Sequence, residues 1–219
     1  MSLFIAPAEA AGIMLPILCA MDIFGVQVYW RAWSRAQVRI MLPGAIVGIA
    51  VGAFAFGAMP VNAVRLLIGC ISILFAVNAW FRLTERIARR LVAEHHPPGP
   101  RAGALWGSLS GFTSTLAHAG GPPYTIYMLA LGVDKTTFVA TSAVFFFAVN
   151  YIKLIPYYFL GQLNTANLTT ALVFAPLVPI GVWIGVWIHR RISADHFFKA
   201  THLLLFASGL KLVYDGLTH

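Results

Sequence analysis

Long apolar runs separated by short polar or basic linkers organise this chain. Six stretches are long enough to cross a bilayer, near 10–29, 40–58, 63–81, 137–160, 166–188 and 198–216. About 20 apolar residues in a helix span the hydrocarbon core. A backbone in lipid must satisfy its own hydrogen bonds, so each stretch is predicted as a helix. None alternates in the manner of a membrane β-barrel strand. The expected fold class is an all-α polytopic membrane protein.

Residues 102–132, AGALWGSLSGFTSTLAHAGGPPYTIYMLALG, break the pattern. The stretch is too long for one comfortable span, and Gly120, Gly121, Pro122 and Pro123 in its middle cannot continue a helix. Two shorter helical arms are predicted to meet there. The second arm, from about Pro123 to Leu131, rises only ~14 Å at ~1.5 Å per residue, less than half of a ~30 Å core. A re-entrant hairpin over 102–132 is therefore preferred to a kinked full span.

Charge placement agrees with the hairpin. Arg31, Arg35 and Arg39 follow the first span, Arg82, Arg86, Arg89, Arg90 and Arg101 follow the third, and His189, Arg190 and Arg191 precede the last. The linkers Met59–Asn62 and Gly161–Asn167 are uncharged. If 102–132 returns to the side it came from, every basic linker is cytoplasmic and both neutral ones are outside, as the positive-inside bias requires. The expected organisation is a first half over 1–81, a basic cytoplasmic linker over 82–101, and a second half over 102–219 that carries the hairpin.

The halves resemble each other weakly. Pro43 with Gly48 and Gly52 recurs as Pro176 with Gly181 and Gly185, and Asp22 falls where Asn150 falls. Matching linkers carry swapped charge, the signature of an inverted repeat. Such repeats build many secondary transporters, with broken helices meeting near the midplane.

Composition narrows the class. The chain of 219 residues is 59% hydrophobic and 10% charged, with a mean hydropathy of +0.80. Soluble domains are about 45–50% apolar and about 25% charged, so a soluble enzyme, a disordered chain and a coiled coil are excluded. The net charge of +8 belongs to the basic linkers and gives no reason to expect nucleic acid. Cys19 and Cys70 lie in apolar runs and read as small buried hydrophobes. No Gly-xxxx-Gly-Lys motif or other cofactor signature is present, and no cofactor is expected.

The run Thr113-Ser-Thr-Leu-Ala-His-Ala-Gly-Gly-Pro-Pro-Tyr124 is the most informative for chemistry. Gly120 and Gly121 allow close approach of a ligand, and Pro122 suits the first turn of a new helix. The amides at such a helix start, with their partial positive charge, form an anion site. The alternative is a proline kink lined by small residues for packing. Tyr124 closes the motif. Thr141 and Ser142, then Asn150 and Lys153, follow on the next span, with Asn150 and Lys153 on one helix face. A lysine deep in a span costs about 2.5–3.5 kcal/mol, so Lys153 either faces a polar cavity, where it balances an anion, or snorkels to the interface. Asn150 either lines the cavity or bonds a neighbouring helix. Asp22, an acid well inside a span, either relays protons or bonds its neighbour. His118 has no ligand-type residues at metal-binding spacing in the sequence and is a candidate, no more, for a proton or hydrogen-bonding role. Gly44, Gly48 and Gly52 read as close helix contacts. Gly107-Ser-Leu-Ser-Gly111 suggests a protease nucleophile, but Ser110 and His118 are eight apart on one arm, too far for a nucleophile and its base.

Together these residues resemble the sulfite exporter TauE/SafE family of membrane permeases. The likeness runs through His118–Tyr124, Ala140-Thr-Ser-Ala143, Asn150, Lys153 and the Gly161 turn. It continues in the first half through Leu15-Pro16, Asp22, Tyr29, Leu42-Pro-Gly-Ala45, Gly48 and Gly52, and so covers essentially the whole chain. The resemblance implies a multi-pass bacterial inner-membrane carrier of sulfite, organosulfonates or related anions. The family usually opens with a Gly-rich segment mirroring the Gly120–Pro123 break. This sequence is expected to lack it, leaving the first half incomplete at its N-terminus. The expected partners are a small anionic solute and the lipid bilayer, with a homo-oligomer left open. The competing reading is a non-transporting membrane scaffold or assembly factor whose basic linker binds a soluble partner.

Overall fold

Runs free of strong breakers become helices, and each helix stops where the sequence supplies a stop. A computed structural model of the protein describes residues 7–87, 98–177 and 194–218. The helices are α1 (Pro7–Tyr29), α2 (Arg35–Ala58), α3 (Val61–Phe81), α4 (Pro100–Ala117), α5 (Gly121–Ala130), α6 (Lys135–Phe159), α7 (Thr165–Phe174) and α8 (Ala194–Thr218). No strand occurs among the described residues. Ser34 caps α2 by accepting from the Gln37 amide, and Asn164 caps α7 by accepting from Asn167 N–H at 2.9 Å. Asp134 caps α6 through the Thr136 and Thr137 amides at 2.9 and 3.0 Å. The Thr137 side chain and these amides hold the exposed Asp134 carboxyl below the usual carboxylate range.

Four helices among the described residues are long and apolar enough to cross a membrane, over Glu9–Gln27, Arg35–Ala58, Val61–Phe81 and Thr136–Phe159. These match the first four predicted spans. The fifth, near 166–188, begins as α7, and its remainder lies outside the described residues. The sixth coincides with α8, which is long enough but carries a Lys211–Asp215 ion pair at 2.6 Å and is not among the four. The recurrence at Gly181 and Gly185, the cluster His189–Arg191 and residues 88–97 of the 82–101 linker also lie outside the described residues.

The chain forms two compact units. One comprises Met1–Ile17, Pro60–Phe81 and Gln162–His219, the other Leu18–Met59 and Arg82–Gly161. In the first unit α3 packs on α8. A Cβ on Gly69 would lie 2.8 Å from the Gly209 carbonyl oxygen, and Trp80 meets Phe206 with ring centroids 5.1 Å apart. The start of α1 in this unit presses Gly12 against the Gln162 carbonyl, which also accepts from Asn167 Nδ2 at 2.8 Å. Cys70, expected to be buried, is exposed, whereas Cys19 in the other unit is buried. An apolar thiol on a lipid-facing surface costs little, so an apolar run does not decide which side it takes.

In the second unit α2 packs along α4 with backbone on backbone. A Cβ on Gly44 would collide with the Ala104 carbonyl and one on Gly48 with that of Ser108. In return, a Cβ on Gly107 would strike the Met41 carbonyl and one on Gly111 that of Ala45. Two glycine stripes with four-residue spacing thus interlock. Lipid supplies no hydrophobic drive between helices, so this close packing and its Cα–H···O contacts hold the pair. Across from it, Met41, Ala45 and Ile49 of α2 meet Tyr124, Tyr127 and Met128 of α5 and Phe145 and Val149 of α6 in one buried cluster. Large apolar side chains also point outward, with Phe54 79% and Phe159 80% exposed, as suits a surface solvated by acyl chains.

Candidate anion site at the broken helix

The site lies entirely within the second unit and begins where α4 stops. The His118 amide donates to the Ser114 carbonyl at 3.0 Å and the Ala119 amide to the Thr113 carbonyl at 3.3 Å. The first of these is the αL closure of a helix end, in which the amide of a left-handed residue bonds back four positions. Glycine is the usual residue there. Here it is His118, with φ 50°, at a cost of roughly 1–2 kcal/mol for a side chain in that conformation.

Helix α6 extends the closure. Lys153 Nζ donates to the Ser114 carbonyl at 3.2 Å and to Ser114 Oγ at 3.0 Å, and lies 3.1 Å from His118 Nδ1. One turn on, Tyr157 donates its hydroxyl to the Thr115 carbonyl at 2.7 Å. Residues four apart share a helix face, and both side chains are fully buried. An ammonium has three donors, and Lys153 meets three acceptors when His118 carries its ring proton on Nε2. Lys153 therefore does not snorkel to the interface.

Beyond the break, Ser110 Oγ donates to the Gly120 carbonyl at 2.7 Å and pins the chain as it turns into α5. The first turn of α5 has no side-chain cap. Pro122 and Pro123 have no N–H to leave unsatisfied. The amides of Gly120 and Gly121 remain, and neither has a protein acceptor among the described residues. A Cβ on Gly120 would sit 2.8 Å from the Phe146 ring and from Ser110, whereas one on Gly121 would meet nothing within 4 Å. The two glycines therefore differ: the first is sealed, the second borders open space. Pro122 is half-buried beside it.

The other sequence-predicted residues separate into groups. Asn150 Nδ2 donates to Asp22 Oδ2 at 2.7 Å, joining α6 to α1. This bond is the neighbour-helix alternative for both residues, and Asp22 remains half-buried. Thr141 is fully buried and accepts from the Ser34 amide at 2.9 Å, tying α6 to the start of α2. It lies about 14 Å along α6 from Asn150, with half-buried Ser142 beside it. Tyr124 is core: its hydroxyl donates to the Phe138 carbonyl at 2.9 Å and its ring stacks on Phe145 at 5.4 Å. The structure thus brings His118, Gly120, Gly121, Pro122 and Lys153 to one break, sets Asp22 with Asn150, and leaves Thr141, Ser142 and Tyr124 elsewhere.

Ser114, Tyr157 and Ser110 were not singled out from sequence as parts of this site. Tyr157 could have been found from its four-residue spacing to Lys153. Ser114 and Ser110 carry no pattern that separates them from the other small residues of α4.

An all-helical chain with several membrane-length spans, and a polar break where a half-length helix begins, has the build of a membrane transport protein. The chain belongs to the sulfite exporter TauE/SafE family, whose model matches residues 1–212 of the 219. That family consists of membrane permeases, not enzymes. Comparison with curated proteins and with solved structures finds no match.

Proposed function

We propose that this protein is a secondary transporter for a small sulfur-containing anion, sulfite or an organosulfonate, in the bacterial inner membrane. The observation that carries this reading is the pair of amides on Gly120 and Gly121, left without acceptors among the described residues at the start of a half-length helix where Gly121 borders open space. Such a start concentrates partial positive charge and donor groups. Unsatisfied backbone in lipid is tolerated only where it lines a cavity. An oxyanion supplies the missing acceptors. Pro122 fixes the helix start, and Lys153 adds positive charge from behind the break without contacting the anion. Asn150 and Asp22 hold α6 to α1, and Thr141 with Ser142 belongs to the far end of α6.

Six spans with a re-entrant 102–132 arm, arranged as an inverted repeat, complete the reading. They put the basic linkers inside and supply the two-fold relation on which alternating access depends. Family membership supports a sulfur-containing anion as the cargo. The test is counterflow of radiolabelled sulfite and sulfoacetate in proteoliposomes. Gly121→Leu fills the space in front of the amides and is expected to abolish exchange. Gly121→Ala carries the same cost of a side chain before proline and serves as the folding control. Wild-type exchange by a folded Gly121→Leu protein removes the broken helix from the mechanism.

A further inference from the structure

The later turns of α1 and the middle of α6 leave a groove of about 610 Å³ between them, lined by Ile23, Val26, Gln27 and Trp30 on α1 and by Phe147 and Tyr151 on α6. The α1 residues recur at three and four positions and so form one stripe of the helix. The α6 wall is a pair of rings, Phe147 and Tyr151, with centroids 4.4 Å apart. At the deep end the two helices are joined by the Asn150–Asp22 bond at 2.7 Å. From Ile23 to Trp30 the groove runs ~10 Å at ~1.5 Å per residue, against ~15 Å for one leaflet of a ~30 Å core. Trp30 is 63% exposed, and a tryptophan at the end of a span sits at headgroup level. Ile23 and Gln27 are exposed as well, so the groove is open to the acyl chains beside it.

The shallow end carries positive charge. Arg31 follows Trp30 directly, Arg35 and Arg39 stand one turn apart at the start of α2, and all three are exposed. The Ser34 amide donates to Thr141 Oγ1 at 2.9 Å, which holds the start of α2, and Arg35 with it, to the second turn of α6. Thr141 precedes the Phe147 wall by about 9 Å of helix. The Arg35 guanidinium lies 5.9 Å over the Trp33 ring. From Ile23 to Phe81 the sequence holds no acidic residue. The flanking acids are engaged, Asp22 with Asn150 and Asp134 with the Thr136 and Thr137 amides. Among the described residues none of the three arginines is in an ion pair. We propose that this groove holds an anionic phospholipid, with one acyl chain along Phe147 and Tyr151 and the phosphate at Arg31 and Arg35. The charge is complementary, and the bilayer supplies a molecule that is apolar along the groove and negative at its mouth. Gln27, one turn below Trp30, adds an amide donor beneath the phosphate. The bound chain fills the space between α1 and α6. This site is separate from the break at Gly121 and does not depend on the transport reading.

The test is native mass spectrometry of the delipidated protein, titrated with phosphatidylglycerol or with phosphatidylcholine of the same acyl chains. The wild-type protein is expected to hold its first phosphatidylglycerol more tightly than its first phosphatidylcholine. Arg31→Gln and Arg35→Gln are each expected to weaken that first phosphatidylglycerol about fivefold, the worth of one basic residue at an anionic surface, and to leave phosphatidylcholine unchanged. Ile23→Trp fills the groove without touching the charge and is expected to remove the tight phosphatidylglycerol site. Gln27→Trp fills it nearer the mouth and decides the matter if Ile23→Trp does not fold, as judged by thermal unfolding in detergent. Equal affinity of the wild-type protein for the two lipids overturns the proposal. Undiminished phosphatidylglycerol binding by a folded groove-filled variant shows that the arginines attract anionic lipid without a site, and also overturns it. Weakening by groove filling with no effect of either arginine removes the headgroup assignment, and the proposal with it.

Discussion

On the α4 side of the break three carbonyls of the last turns are closed: Thr113 by Ala119, Ser114 by His118 and Lys153, and Thr115 by Tyr157. On the α5 side, a few residues away, the amides of Gly120 and Gly121 have no protein acceptor among the described residues. A chain that merely needed to turn in lipid would close both ends, because each open polar group there costs several kcal/mol. The closed side makes the break rigid. The open side gives it something to bind. The same contrast separates the adjacent glycines, one packed against Ser110 and Phe146 and the other facing space.

The sharpest way to break this comparison is to load the two glycines in turn. Gly120→Leu forces a side chain into Ser110 and Phe146, and is expected to cost about 3 kcal/mol, the upper end of ordinary overpacking. Thermal unfolding in detergent should show a midpoint well below that of Gly121→Leu. Equal midpoints would mean that the two sides of the break are alike. A smaller effect is expected from Tyr157→Phe, which removes the donor to the Thr115 carbonyl and should cost about 1–2 kcal/mol for a buried acceptor left unpaired. Its sulfite exchange should persist, since only the closed side is touched; loss of exchange would show that the closed side also binds. The smallest effect belongs to Asp134→Ala, at the start of α6 and away from the break. Asp134 has a depressed carboxyl in the folded protein. Its stabilisation is therefore present above the usual carboxylate range and is lost as pH falls through the depressed value. The variant should unfold slightly earlier at neutral pH and show less acid-side loss than wild type, with exchange unchanged. An identical pH profile would remove Asp134 as a cap.

Much of the break was legible in the chain because proline and glycine act locally. Pro122 and Pro123 end a helix wherever they occur, and the run after them is too short to cross the core whatever it packs against. The shared face of Asn150 and Lys153 follows from helix geometry alone. What those side chains meet was not legible. Lys153 could as well have snorkelled outward, and Asp22 with Asn150 could have faced a cavity, because the sequence does not say which helix lies opposite. Gly44, Gly48 and Gly52 announced a close contact. The facing Gly107 and Gly111 share the same spacing, yet they read as readily as a frame around a nucleophilic serine. In the structure Ser110 instead holds the Gly120 carbonyl.

The sequence by itself determined that the chain is built of membrane helices, where one of them must break, and that the break exposes amides, since these follow from apolar length and from the missing N–H of proline. Tertiary structure decided which end of the break is sealed. Sealing needs Lys153 and Tyr157, some forty positions away, to arrive at the right carbonyls, and only the packing of α6 against α4 brings them there.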